Sequence, residues 1–97
     1  MFEIYWTYRS ESDFNRMKLD PSLSKHYKAV KKTMGLLASN PRHHSLQTHE
    51  FTSLKGPQGE KVFEAYAEQS TPAAYRVFWY YGPAKGQITI FAITRHP

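Results

Sequence analysis

The 97-residue sequence contains no cysteine. That removes a disulfide framework, a thiolate nucleophile and any Cys-based zinc or iron–sulfur site, and leaves packing as the source of stability. No apolar run approaches the roughly 20 residues a membrane helix needs, and Met1 to Arg9 has no basic stretch leading into an apolar signal core. A cytoplasmic protein without a membrane partner is expected. Internal repeats, low-complexity tracts and long Pro/Gly linkers are missing too, so residues 1–97 read as one small domain, too short for a second core. Acidic residues are in deficit: 8 Asp plus Glu stand against 13 Lys plus Arg, a formal charge of +5. The resulting pI of 9.6 favours polyanionic partners, either nucleic acid or an acidic protein segment.

Aromatic residues and hydrophobic periodicity are what the chain has in quantity. Phe2 to Thr7 is aromatic, partly β-branched and alternating, as a short strand is. Ser10-Glu11-Ser12-Asp13 offers N-cap hydroxyls and first-turn acids for a short helix that Asp20-Pro21 interrupts. Leu23, Tyr27, Val30, Met34 and Leu37 recur at steps of three and four, which predicts an amphipathic helix capped by Ser22 or Ser24 and ended at Asn40-Pro41. Its apolar stripe reads as core, and Lys25, Lys28, Lys31 and Lys32 lie mostly on other faces. Arg42 to Gly59 reads as a polar connection pinned by Leu46, Phe51 and Leu54. Three strand-like runs follow, Lys61 to Ala67, Ala74 to Tyr81 and Gln87 to Thr94. The intervals between them are too short for crossover helices, so they form an antiparallel meander. The expected fold is α+β with the order β-α-α-β-β-β, two helices on one face of a twisted, mainly antiparallel four-stranded sheet, and an open opposite face.

Alternation along Tyr75-Arg76-Val77-Phe78-Trp79-Tyr80 puts Tyr75, Val77 and Trp79 on one face and Arg76, Phe78 and Tyr80 on the other. A cation in mid-strand among aromatics is unusual. Sheet pairing can bring Arg76 to one surface with the strand-end pair Arg95 and His96 and with Glu64, Lys61 or Tyr66 of the neighbouring run. A guanidinium, a carboxylate and an imidazole are what RNA cleavage needs. The carboxylate takes the 2′-hydroxyl proton, the cation stabilises the pentavalent phosphate, and the imidazole protonates the leaving 5′-oxygen. The same spacing also fits an Arg76–Glu64 pair on a sheet surface and a frayed C-terminus.

These residues, together with Asn40-Pro41, Leu54-Lys55-Gly56, Tyr75-Arg76-Val77-Phe78-Trp79 and Ile93-Thr94-Arg95-His96, resemble the RelE/ParE superfamily of bacterial toxins over nearly the whole chain. The resemblance implies the toxin of a type II toxin–antitoxin module, restrained by an acidic antitoxin. In the RelE-like branch, that toxin cleaves messenger RNA on the ribosome without a metal or other cofactor. In the ParE-like branch it inhibits DNA gyrase by binding, and a third possibility is an antitoxin-binding fold without toxicity. Carried over by position, Arg76 matches the arginine that contacts the scissile phosphate, and His96 matches the strand-end catalytic residue, a histidine in YoeB-like members. Arg95 becomes a phosphate ligand and Glu64 the base, with Glu50 and His49 as alternatives. Lys55, Lys61, Tyr66 and Tyr80 are expected RNA contacts, with sheet packing an equal explanation of the tyrosines, and the helix lysines are either a solvated face or contacts to ribosomal RNA. Val62-Phe63-Glu64-Ala65-Tyr66 departs from the family's lysine-bearing strand, and the frequent C-terminal Tyr is absent. His43, His44 and His49 match no defined metal spacing, so no metal site is expected.

Overall fold

The first strand, β1 (Glu3–Trp6), runs directly into a helix, α1 (Tyr8–Leu19), in the computed structural model, which describes residues 1–95. α1 starts earlier than the Ser10 cluster suggests because Thr7 takes the cap. Its hydroxyl accepts from the Ser10 amide, and the Ser10 hydroxyl accepts from the Thr7 amide, both at 3.1 Å. This reciprocal pairing satisfies two orphan donors of the first turn. Asp20 ends α1 and starts a 3-10 turn, Pro21–Leu23, where its carboxylate accepts from the hydroxyl and amide of Ser22 at 2.7 and 3.0 Å. The Ser22 hydroxyl, then its amide, hold the Asp20 carboxyl below its ordinary range. A depressed value favours the folded turn at neutral pH and loses that contribution as acid protonates the carboxylate. With Ser22 so engaged, the second helix, α2 (Ser24–Ser39), has Leu23 at its N-cap and no side-chain cap. It stops at Asn40, before Pro41, as the sequence predicts.

The main correction lies in the segment read as a polar connection. It contains a strand, β2 (His49–Lys55), ahead of β3 (Lys61–Tyr66), β4 (Tyr75–Tyr81) and β5 (Gln87–Arg95). The sheet is therefore five-stranded and mixed rather than four-stranded, in the order β1-β5-β4-β3-β2, with β1 parallel to β5 and the other pairs antiparallel. β2 has no alternating pattern, because its register with β3 slips between Glu50 and Lys55 and only Phe51 and Leu54 are partly buried. A spacing of three erases the period-2 signal of a strand.

Both helices lie on one face. Met17 of α1 and Val30, Met34 and Leu37 of α2 pack against Phe63, Val77, Trp79 and Ile90. The other face carries a smaller apolar cluster of Val62, Phe78, Tyr80 and Ala92, joined by Phe51, Leu54 and Phe91, with no helix over it among the described residues. The two faces are set by a break in β5. Phe78 opposes Ala92 while Trp79 opposes Ile90, leaving Phe91 as the extra residue of a β-bulge. Side-chain parity reverses there: Ile88 and Ile90 face the helices before the bulge, and Ile93 does so after it.

Hydroxyls at the start of α1 hold the bulge. The buried Ser10 donates to the Ile90 carbonyl at 2.8 Å, and Thr7 donates to the Phe91 carbonyl at 3.2 Å. Ser10→Ala removes half of the capping box and a buried hydrogen bond together. It is expected to cost about 1–3 kcal/mol, read as a Tm drop of roughly 4–8 °C per kcal/mol in thermal melts. A loss under about 0.5 kcal/mol would mean that Thr7 alone holds the bulge.

Candidate functional site

The helix-free face is built by pairing rows across β2, β3, β4 and β5. His49, Glu64, Phe78 and Ala92 form one row, and Tyr66, Arg76 and Thr94 the next. Arg76 sits mid-sheet and is only 9% exposed. Its guanidinium lies 3.9 Å from the Tyr66 ring centroid, and Nη1 donates to the Glu68 carbonyl at 3.1 Å. Stacking on the ring is favourable by about 0.5–2 kcal/mol. The Arg76 Nε is buried without a hydrogen-bond partner among the described residues, and Glu64 Oε2 stands 3.9 Å away. A buried donor left so costs about 1–3 kcal/mol, which places an uncommitted cationic donor in the centre of this face.

Glu64 is largely buried, and His49 Nε2 approaches its Oε1 at 2.8 Å. His49 Nδ1 lies 3.0 Å from the Gln47 carbonyl. The ring is thus placed between that carbonyl and the Glu64 carboxylate. The His49 and Tyr66 rings also meet in a T-shaped arrangement, centroids 5.8 Å apart. His49, Glu64, Tyr66 and Arg76 make one connected cluster, and the Arg76–Glu64 juxtaposition expected from alternation is present within it.

Other expected members lie elsewhere. Arg95 is opposite Tyr75, and its Nε donates to the Tyr75 hydroxyl at 3.3 Å, on the helix side of the sheet. The bulge at Phe91 is the reason, since a regular strand continuing from Ile88 and Ile90 would have sent Arg95 to the Arg76 face. Arg95 instead lines a cavity of about 430 Å³ with Arg9, Asp13 and Arg16 of α1. The Tyr75 hydroxyl bond, and after it the charge that group can carry, hold Arg95 more firmly cationic than usual. Lys55 opposes Lys61 and shares the side of Phe63, so these two lysines are exposed at the hairpin end, off the Arg76 face. Tyr80 is buried in the smaller apolar cluster on the Arg76 face. Glu50 opposes Phe63, on the far side from Glu64, with its Oε2 3.9 Å from Lys55 Nζ. His96 lies outside the described residues.

Two residues of this region carry no signal in the spacing of chemical groups. Glu68, 9% exposed, follows β3, and its carboxylate accepts from the Tyr75 amide at 3.1 Å while His26 Nδ1 of α2 approaches its two oxygens at 2.7 and 2.9 Å. The available hint was helical: His26 falls four residues before Val30 and seven before Thr33, on the stripe of α2 that is buried. Of the remaining histidines, His43 accepts from the Ser45 amide at 3.2 Å, capping the 3-10 turn His44–Leu46, and stacks on His44 with centroids 4.6 Å apart. Among the described residues no group of three His, Asp or Glu is placed to hold a metal ion, and no helix is long and apolar enough to cross a membrane.

No family model matches the sequence, and no curated protein is detectably similar to it. Solved structures are similar in shape. The YoeB/ParE toxin from Agrobacterium tumefaciens superposes with a TM-score of 0.71 at 11% identity, covering 99% of this chain and 100% of its own. YoeB from Staphylococcus aureus, described as a dimer, superposes with a TM-score of 0.63 at 12% identity, covering 99% of this chain and 98% of its own. Over its whole length, the chain has the fold of the YoeB/ParE toxins.

Proposed function

We propose that this chain is the toxin of a type II toxin–antitoxin pair and acts as a ribosome-dependent, metal-independent endoribonuclease on messenger RNA. The observation that carries the reading is Arg76, a nearly buried guanidinium with an uncommitted Nε–H, held against Tyr66 and beside the Glu64–His49 pair on the helix-free face. In the reaction, Glu64 takes the proton of the 2′-hydroxyl, whose oxygen attacks the adjacent phosphorus. Arg76 stabilises the charge that develops on the phosphoryl oxygens, and His96 protonates the departing 5′-oxygen. His49 keeps the Glu64 carboxylate oriented between turnovers. Tyr66 offers an aromatic surface next to the phosphate site for a base to stack on. The +5 charge suits both ribosomal RNA, with the α2 lysines as phosphate contacts, and an acidic antitoxin that restrains the toxin.

The test is purified protein with ribosomes and a defined message, with cuts mapped by primer extension. Cleavage by wild type, absent without ribosomes, is expected. Undiminished cutting by the Arg76→Ala, His96→Ala double variant would remove the assigned roles. Inhibition of gyrase supercoiling with no RNA cleavage would replace this reading with a ParE-like one, and harmless expression without antitoxin would leave only an antitoxin-binding fold.

A further inference from the structure

The connection between β3 and β4 reaches the site through a backbone atom, the Glu68 carbonyl that accepts from Arg76 Nη1 at 3.1 Å. A loop carbonyl is as fixed as its loop. This loop contains two residues in the left-handed region, Ser70 at φ 59° and Ala73 at φ 54°, a conformation that is unfavourable for residues with a Cβ and must be imposed from outside. The Ala67 and Glu68 amides donate to the Tyr75 carbonyl at 3.2 and 3.3 Å, and the Glu68 carboxylate adds a side-chain restraint, binding the Tyr75 amide on one side and His26 of α2 on the other. The His26 ring in turn packs against Tyr75, centroids 5.0 Å apart. Backbone bonds hold Glu68 to β4, its side chain alone ties it to a helix, and its carbonyl orients the guanidinium.

We propose that Glu68, clamped by His26, is a positioning residue for Arg76, an inference that rests on the nuclease reading for its effect on cleavage but not for its effect on the guanidinium. A partly buried His–Glu contact is by itself weak evidence of a stabilising role, since apolar groups of the same size often serve stability equally well. The geometry instead gives Glu68 a directional task. Arg76 has one hydrogen-bonded anchor among the described residues, the Glu68 carbonyl, besides the Tyr66 ring, while its Nε is unpaired. Losing the anchor leaves the fork free to turn on the ring, and a misoriented cation stabilises a phosphoryl transition state poorly even when it still attracts RNA.

The test compares Glu68→Ala, Glu68→Gln and His26→Ala in the full chain. Glu68→Gln retains an oxygen for the Tyr75 amide and is expected to keep cleavage within about threefold of wild type. Glu68→Ala is expected to lower kcat by about 10- to 50-fold with KM changed less than threefold, and His26→Ala to fall between the two, with its Tyr75 bond intact. Combined with Arg76→Ala, Glu68→Ala should add nothing, because its effect runs through that guanidinium. A readout independent of RNA is the ¹⁵N-resolved guanidinium resonance of Arg76. Slowly exchanging in wild type and Glu68→Gln, it should become fast-exchanging in Glu68→Ala and partly so in His26→Ala. An unchanged resonance in folded Glu68→Ala, or additive losses with Arg76→Ala, would overturn the proposal. If wild type cuts no RNA while the resonance responds as expected, the nuclease reading fails and the positioning role stands.

Discussion

Replacing Arg76 by Ala is expected to lower ribosome-dependent cleavage by about 10²- to 10³-fold, the usual consequence of removing one preorganised donor from a developing oxyanion. On the proposed nuclease reading the loss should fall on kcat more than on KM, because a cation on the reacting phosphate would meet more charge in the transition state than in the bound message. Arg76→Lys should recover little. A lysine places a point charge where the fork now spans Tyr66 and the Glu68 carbonyl, and it does not keep the stacked geometry. Stability moves far less: Ala forfeits the ring stack and one charge-assisted bond, but it also removes a buried, unpartnered Nε–H. A net change within about 1–2 kcal/mol is anticipated. Single-turnover cleavage alongside thermal melts separates the two effects, and a cleavage loss under threefold would exclude Arg76 from the reaction.

Trp79→Ala should do the opposite, removing the fold rather than the chemistry. Trp79 is fully buried on the helix side of β4, stacked on Phe63 with centroids 4.9 Å apart and met edge-on by Tyr81 at 4.9 Å. Emptying that volume costs about 3–5 kcal/mol. Against the roughly 5–15 kcal/mol of a small domain, this is a Tm drop of about 15–30 °C. Trp79→Phe is the informative companion. The Trp79 Nε1–H has no acceptor among the described residues, so Phe loses volume but also deletes an unsatisfied donor. About 1–2 kcal/mol is expected for it. Equal losses for the two variants, measured by denaturant unfolding, would mean that the indole N–H has a partner in solution.

These two residues also mark what the sequence makes legible. Strict alternation in Tyr75 to Tyr80 separates Trp79 from Arg76 onto opposite faces, as the structure has them, because β4 is an interior strand paired without slippage over that stretch of β3. The α2 stripe is legible for a similar reason, with Val30, Met34 and Leu37 all buried at helical spacing. Legibility fails where a strand loses its period. The register slip hides β2, and the extra residue at Phe91 sends Arg95 away from the surface that simple alternation assigns to it. The Arg76–Glu64 pairing was readable from two strands. The His49 and Glu68 partnerships were not, because each joins a strand or loop to a segment whose position only the packed sheet determines.

The position of β5 between β1 and β4 bears on how the molecule comes into being. β1, made first, has one strand neighbour in the sheet, and 84 residues separate Thr7 from the Phe91 carbonyl it binds. Until β5 has been synthesised, β1 has no strand to pair with, and α1 has only part of the surface it packs on. Such long-range closure slows folding and concentrates it in one late step. A chain cut short before Gln87 would lack β5 and leave β1 unpaired, so half-made copies would expose both β1 and the edge of β4 to proteolysis.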